Sequence, residues 1–403
     1  VVISAAIPPD NVEVQAARAA GIPILKRAEI LGEMMADKVG VAVAGTHGKT
    51  TTTGLIAMLL SRLGFDPTYI VGGALADLGG NAHAGKGKAF VVEADEYDRM
   101  FLGLRPTVAV VTSVEHDHPD LFPTLHDVQT AFAQFAALLP PDGALIACAD
   151  EPGARALAAE HAARGGRAIT YGVKSDVPLG LPDAEWQAES VQPNGAGGSD
   201  FLVAKNGETL GLARTRLPGL HNVSNALAAL AAVDVLGVPF GAARSALAEF
   251  RGAGRRFEVL GEAGGITIVD DYAHHPTEIA ATLAAARMRF RGRPLWAVFQ
   301  PHTYSRTKAL LREFAAAFRD ADHVLITEIF AARETADPSI SGADIVQAAA
   351  SPKVRFAPDL AAAQAQLRAE LRRGDVLLTL GAGDITQLGR AILAELQEQE
   401  RKP

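Results

Sequence analysis

The stretch Val39-Gly40-Val41-Ala42-Val43-Ala44-Gly45-Thr46-His47-Gly48-Lys49-Thr50-Thr51 decides how the rest of the chain is read. Its first half is an unbroken apolar run, the composition of a strand buried on both faces of a sheet. Its second half is a glycine-bounded turn, and a helical stretch from about Thr50 to Leu63, closed by Gly64, follows. A strand, a glycine turn and a helix in that order make a ready anion site. Backbone N–H groups and the helix N-terminus face the anion, Lys49 meets its charge, and the Thr50 hydroxyl can ligate Mg²⁺. The full spacing of such a loop would need glycine at position 43, where this chain has Val43. A glycine turn capped by threonine is the alternative. Lys-Thr at the right place between a strand and a helix favours phosphate binding.

Working outward, AFVVEAD (Ala89 to Asp95), VAVVTSV (Val108 to Val114) and ALIACAD (Ala144 to Asp150) read as further buried parallel strands. The region is therefore expected to be α/β, a doubly wound sheet carrying a phosphate loop. From Val177 to Gly219, Pro, Gly and Asn accumulate, and Asn206-Gly207 between FLVAK and ETLGLART is a hairpin signal. A small antiparallel insertion is expected there, followed by an Ala- and Leu-rich helix from Val223 to Leu236. After Arg251 the α/β alternation restarts with strands around Ile266 to Tyr272, Pro294 to Gln300, His323 to Ile329 and Asp375 to Gly381. That second part reads as a Rossmann-like α/β domain. At the other end, VVISAAI (Val1 to Ile7) reads as a buried strand, which is not stable without neighbours, so the chain reads as beginning inside a partial α/β domain. The expected division is 1–38, 39–249 and 250–403.

The 403 residues are 48% hydrophobic and 21% charged with a net charge of −8, which describes an ordered multidomain protein and excludes disorder. No basic run points to nucleic acid, and no stretch has the length and apolarity of a membrane span. One cysteine, Cys148, leaves no internal disulfide framework and fits a reducing, cytoplasmic setting.

Polar clusters fall where the strands end. Glu93-Ala94-Asp95-Glu96 follows one strand and Glu115-His116-Asp117-His118-Pro119-Asp120 the next. Strand C-termini line the ligand crevice of such sheets, so acidic groups there can hold Mg²⁺ opposite the phosphate loop. Zinc is poorly supported, because His116 and His118 form an i, i+2 pair with no cysteine. His221-Asn222-Val223-Ser224-Asn225 opens a helix, where Asn222 or Ser224 can cap it and amides can equally read a base edge. Asp270-Asp271-Tyr272-Ala273-His274-His275-Pro276 and Gln300-Pro301-His302-Thr303-Tyr304-Ser305-Arg306 end strands of the last domain.

These motifs resemble those of the Mur ligases, ATP-dependent amide-bond formers of peptidoglycan synthesis. GTHGKTTTT at Gly45, EADE at Glu93, EHDHPD at Glu115, LPGLHNVSNALAA at Leu217, GAGRRFEVLGE at Gly252, DDYAHHPTE at Asp270 and FQPHTYSRT at Phe299 stand in family order across nearly the whole chain. SAAIPPDNVEV near the start is similar to the end of the family's UDP-binding domain. The resemblance implies ATP and Mg²⁺ as cofactors, with UDP-N-acetylmuramate supplying the carboxylate and L-alanine the amine. It assigns ATP phosphates to Gly45, Thr46, His47, Gly48, Lys49, Thr50 and Thr51, and Mg²⁺ to Thr50, Glu93 and His118. Lys49, Glu93 and His118 would be the catalytic set. Adenine and nucleotide contacts fall to His221, Asn222, Asn225, Arg256 and Asp271, and the amino-acid pocket to His274, His275, His302 and Arg306. Three departures stand out. The family commonly has Asn at Ser113 and Arg at Thr303, and Tyr97 makes EADEYD, a form associated with the sister ligase that attaches a recycled L-Ala-γ-D-Glu-diaminopimelate tripeptide. A nucleotide-binding sensor without catalysis is the alternative of another class.

Overall fold

The computed structural model describes residues 1–4, 7–174 and 184–401. The beginning of the Pro- and Gly-rich stretch, Val177 to Asp183, lies outside the described residues. At the start, β1 (Val2–Ile3) and β2 (Leu25–Lys26) form a two-stranded parallel pair beside α1 (Val12–Ala19) and α2 (Arg27–Met35). The single buried strand expected over Val1 to Ile7 is therefore corrected to two paired residues, with Val1 and Val2 45% and 53% exposed. Its partner is equally short, and Ala5 and Ala6 of the run lie outside the described residues.

A ten-stranded sheet follows. Its strands are β3 (Val39–Ala44), β4 (Thr68–Leu75), β5 (Gly80–His83), β6 (Ala89–Glu93), β7 (Val108–Val111), β8 (Ala144–Cys148), β9 (Arg167–Val173), β10 (Trp186–Pro193), β11 (Ser199–Lys205) and β12 (Glu208–Thr215). The spatial order is β12-β11-β10-β9-β8-β7-β3-β6-β4-β5. From β9 to β4 every neighbouring pair is parallel. The chain leaves β3 towards β4 on one side and returns by β6 to reach β7 on the other. Strand order reverses at β3, and the crevice outside its carboxyl end is where such sheets bind ligands. The residues expected to form an antiparallel insertion do form a hairpin, β11 with β12. However, β10 pairs in parallel with β9, so the unit extends the main sheet.

Helices α3 (Lys49–Arg62), α4 (Leu125–Ala136), α5 (Pro152–Ala163), α6 (Leu220–Val235) and α7 (Phe240–Leu247) pack on this sheet. Leu55 to Leu60 of α3 and Ala226 to Val233 of α6 are buried all round, which is why both helices read as apolar without a polar stripe.

A second sheet, ordered β13-β14-β18-β15-β16-β17, is built from β13 (Glu258–Ala263), β14 (Ile266–Asp271), β15 (Leu295–Phe299), β16 (His323–Ile326), β17 (Val354–Phe356) and β18 (Val376–Leu380). It is parallel except at β13, which pairs antiparallel with β14. Helix α8 (Pro276–Arg289) follows β14, and α9 (Tyr304–Ala309) follows β15. Two apolar clusters cover the two faces of this sheet. No helix among the described residues is long and apolar enough to cross a membrane.

The turn after β3 depends on bare backbone. Gly45 has φ +135°, and a Cβ there would lie 1.9 Å from Thr112 Oγ1. Gly64 also has positive φ, but nothing lies within 4 Å of where its Cβ would be. Gly45→Ala is expected to cost about 3 kcal/mol or more through strain and overlap, and Gly64→Ala only about 1 kcal/mol through backbone strain. Urea unfolding of the two variants checks the contrast, and equal losses would refute it.

Candidate active site

The loop between β3 and α3 sits over the carboxyl ends of β3, β6 and β7. Its geometry is fixed from β7: Thr46 N–H donates to Ser113 O (3.0 Å) and His47 N–H to Ser113 Oγ (2.9 Å). Thr46 Oγ1 accepts from Glu115 N–H (2.9 Å). Gly48, with φ +80°, is the residue before α3, and a Cβ there would meet Asn225 Oδ1 at 2.6 Å. The first-turn N–H groups of α3 are thus left facing the crevice without side-chain cover, as an anion requires.

Lys49 folds back over this loop. Its Nζ donates to Gly45 O (2.7 Å) and Thr46 O (3.3 Å) and to both carboxylate oxygens of Glu96 at 2.9 Å. Burial alone would lower the Lys49 ammonium, but Glu96 and Asp95 outweigh it and hold the group charged, above the ordinary lysine range. Burial pushes the Glu96 carboxyl up to about 7 against the pull of Lys49.

Thr50 Oγ1 donates to Glu93 Oε1 (3.0 Å), and the other Glu93 oxygen accepts from Gly72 N–H (2.7 Å). A hydroxyl beside a carboxylate is the hard oxygen pair that suits Mg²⁺. The structure places the third expected ligand, His118, against Glu96 (3.9 Å) and Asp117 (3.7 Å). Burial lowers its imidazole, so it is the neutral, ligating form that prevails.

Of the residues expected to contact nucleotide, His47, Gly48, Thr50, Thr51, His221, Asn222, Asn225, Arg256 and Asp271 line one cavity of about 210 Å³ together with Leu217 and Phe257, whereas Gly45, Thr46 and Lys49 lie outside its lining. Asn222 Nδ2 donates to Pro218 O (2.7 Å), and Asn225 Nδ2 donates to Asn222 Oδ1 (3.2 Å). Both amides are therefore locked in orientation by α6. Arg256 reaches from the second lobe to within 3.4 Å of Thr50 Oγ1. Asp271 accepts from the N–H groups of Phe257 and Ala273 at 2.7 Å each, and burial pushes its carboxyl up to about 6.

The residues expected to hold an amino acid separate into two groups. Arg306 donates from Nε to Asp117 Oδ1 (2.7 Å) and from Nη1 to His302 O (2.5 Å), and His274 lies edge-on to His302 at 6.0 Å. Burial pushes His274 down to about 3 and His302 to about 4, with Arg306 adding to both, so both imidazoles are neutral near pH 7. His275 stands elsewhere, its ring 4.6 Å from that of His47.

Glu278 is a site residue that sequence reasoning missed. As the third residue of α8 its Oε2 accepts from His274 N–H (3.0 Å) and His275 N–H (3.3 Å), closing a capping box. Its Oε1 meets His47 Nδ1 at 3.2 Å. The His-Pro-Thr-Glu spacing carried the capping signal, but the long-range partner had none. His47 is flanked on its other nitrogen by Glu115 Oε2 at 3.6 Å. Burial would lower this imidazole, but Glu115 and Glu278 outweigh it and its pKa is pushed up to about 10.

Comparison with known proteins gives three family matches along the chain. Residues 1–39 match the Mur ligase family catalytic domain, 43–233 the Mur ligase middle domain, and 255–383 the glutamate ligase domain of Mur ligases. The UDP-N-acetylmuramate–L-alanine ligase of Acidithiobacillus ferrooxidans is 46% identical over 395 residues, covering 96% of this chain and 83% of that protein. That of Renibacterium salmoninarum is 47% identical over 398 residues, covering 98% and 83%. Among solved structures, the UDP-N-acetylmuramate–alanine ligase of Thermotoga maritima superposes with a TM-score of 0.81 at 28% identity, covering 99% of this chain and 85% of that one. A murein peptide ligase from Psychrobacter arcticus gives 0.68 at 26% identity, covering 97% and 84%.

The His47 bridge sets a pH dependence. Its folded pKa, about 10, lies above the ordinary 6.5, so its stabilisation is fully present below pH 6.5 and is lost as pH rises through 10. The stability gap between the wild type and His47→Gln is expected to be wide at a pH of about 6 and narrower at about 9. Urea unfolding at both pH values measures it, and a gap that widens with pH would refute the bridge.

Proposed function

The chain belongs to the Mur ligase family, and from that premise we propose that it is the ATP-dependent ligase that joins L-alanine to the carboxylate of UDP-N-acetylmuramate in cytoplasmic peptidoglycan synthesis. The observation that carries this reading is an unbroken chain of contacts from the phosphate-loop Lys49 through Glu96, His118 and Asp117 to Arg306 and His302, which joins a phosphate loop, an acidic cluster and an Arg-His group across the two α/β lobes. A pure nucleotide sensor has no need of the third.

A carboxylate and an amine do not condense unaided in water. The muramyl carboxylate attacks the γ-phosphorus of ATP, forming a C–O–P bond and releasing ADP. The α-amine of alanine then attacks the acyl carbon, the amide bond forms, and phosphate leaves with the electron pair of the broken C–O bond. Phosphoryl transfer is mainly a matter of positioning and charge. The α3 N-terminus and Lys49 supply both, provided that Lys49 exchanges Glu96 for phosphate. Thr50 and Glu93, with His118 across the crevice, fit Mg²⁺, which when bound neutralises phosphate oxygens as charge shifts between them. Arg306, fixed by Asp117, meets the carboxylate of the amino acid. The ammonium must shed a proton before it attacks. His274 Nδ1 lies 3.0 Å from Tyr272 O, so that nitrogen carries the hydrogen and Nε2 is left to accept a hydrogen bond from the amine. With its pKa pushed down to about 3, this imidazole orients the amine and does not hold the proton, which passes to solvent.

The tripeptide reading rests on Tyr97. The structure gives that side chain another role: the Arg333 guanidinium lies 4.7 Å over its ring, and its hydroxyl faces Asp120. Tyr97 thus joins the two lobes beside the crevice, and this contact is compatible with a small acceptor.

Phosphate release should require ATP, Mg²⁺, UDP-N-acetylmuramate and L-alanine together, and Lys49→Ala should reduce it by roughly 10³-fold, the scale of one lost charge-stabilising donor. Equal release with the tripeptide in place of L-alanine, or full activity of the Lys49→Ala variant, would overturn the assignment.

A further inference from the structure

At the rim of the nucleotide cavity, His47 of the loop after β3 belongs to a second cluster of groups able to ligate a cation. His47, Glu115 and His275 each offer a ligand atom within 4.8 Å of the others. The Nε2 atom of His275 is buried with no hydrogen-bond partner among the described residues, and that of His47 faces only Glu115 Oε2, at the long distance of 3.6 Å. Buried polar atoms rarely stay orphaned, and each one calls for an explanation. We propose that His47, His275 and Glu115 form a site for a borderline transition-metal cation of the Zn²⁺ class, separate from the Mg²⁺ position at Thr50 and Glu93.

Two neutral imidazoles and one carboxylate are the donor set such cations select, whereas Mg²⁺ selects oxygen. Bonds of about 2.0–2.1 Å in tetrahedral geometry put ligand atoms roughly 3.4 Å apart, so from separations of up to 4.8 Å the three groups need to draw together by up to about 1.4 Å. Water completes the fourth position. Supporting contacts exist: Glu278 Oε1 meets His47 Nδ1 (3.2 Å), and Thr277 Oγ1 donates to Glu115 Oε2 (2.8 Å). A carboxylate on the far nitrogen fixes the ligating tautomer of a metal-bound histidine.

Charge points the same way. Glu115 and Glu278 share one imidazolium at His47, with Arg256 4.0 Å from Glu278. A divalent cation that displaces the His47 proton neutralises the pair of carboxylates more completely. An open cleft of about 720 Å³ reaches Glu115 and His275 and is walled by Asp150, Glu151 and Glu313, an acidic approach for a cation. Two features oppose binding, the first being the His47 proton, which Glu115 and Glu278 hold and the cation has to displace. The second is that His275 Nδ1 accepts from Thr277 N–H at 3.3 Å, and ligation through Nε2 gives up that long bond. The site is therefore expected to hold its cation less tightly than a closed four-ligand zinc site. Because His275 starts α8 while His47 and Glu115 belong to the first sheet, a bound cation ties the two lobes together.

The test is a calorimetric titration of the EDTA-stripped, nucleotide-free protein with Zn²⁺ under excess Mg²⁺, with Co²⁺ as the spectroscopic probe. Expected are one Zn²⁺ per chain, ligand-field bands of low-coordinate Co²⁺, and a rise in unfolding temperature with Zn²⁺. His275→Gln and Glu115→Gln should each weaken binding at least tenfold, about 1.4 kcal/mol, and abolish the thermal rise. Glu93→Gln should leave the Zn²⁺ titration intact. Glu115→Gln keeps the size of the side chain, so it remains informative should His275→Gln fold poorly. Unchanged titrations in both variants, six-coordinate water-like Co²⁺ bands, or loss of binding in the surface variant His83→Gln would overturn the proposal.

Discussion

A carboxylate taken out of water must be met by a cation or take up a proton, and the cleft is arranged around that requirement. Glu96 is held by Lys49, Asp117 by Arg306, and Glu278 by His47 with Arg256 further off. Arg306 and Glu278 belong to the second lobe, while their partners Asp117 and His47 belong to the first. The lobes are therefore closed by ionic contacts between the same groups that surround the crevice. Arg306 holds Asp117 well below the usual carboxylate range despite its burial. That interlobe pair anchors one wall of the pocket, with the backbone of His302 bound to the same guanidinium.

The sequence carried the parts of this arrangement that are local. Gly45 to Thr51 announces itself because strand, turn and helix are consecutive, and the apolar runs of β3, β6, β7 and β8 need no partner to be recognised. What depends on pairing was not legible. The period-2 pattern around Asn206-Gly207 fixes a hairpin, yet nothing in it states that β10 continues the main sheet beside β9. An apolar run such as Val1 to Ile7 reads as buried whether or not a long neighbouring strand exists, and β2 is too short to bury it.

Site residues divide along the same line. Lys49, Glu93 and Arg306 stand in motifs dense enough to read, whereas Glu278 acts through a contact 231 residues away. His275 illustrates the reverse. Adjacency to His274 put both in one pocket on paper, but His275 precedes Pro276 as the residue capping α8, which turns its ring towards His47. Neighbours at a strand–helix junction point in different directions, and only the fold decides which wall each one lines.

The Lys49–Glu96 pair then explains why acids crowd a site that binds a polyanion. Without nucleotide, Glu96 keeps Lys49 charged and folded over the loop, and the phosphates have to take that ammonium for themselves. Once they do, Glu96 loses its main counter-charge while Asp95 and burial still act on it. With its carboxyl already pushed up to about 7, it must take a proton or a new cationic partner. His118, 3.9 Å away, and a cation held at Thr50 and Glu93 are the groups within the crevice able to respond. Under the proposed reaction, nucleotide entry is thereby tied to the charge state of one buried carboxylate.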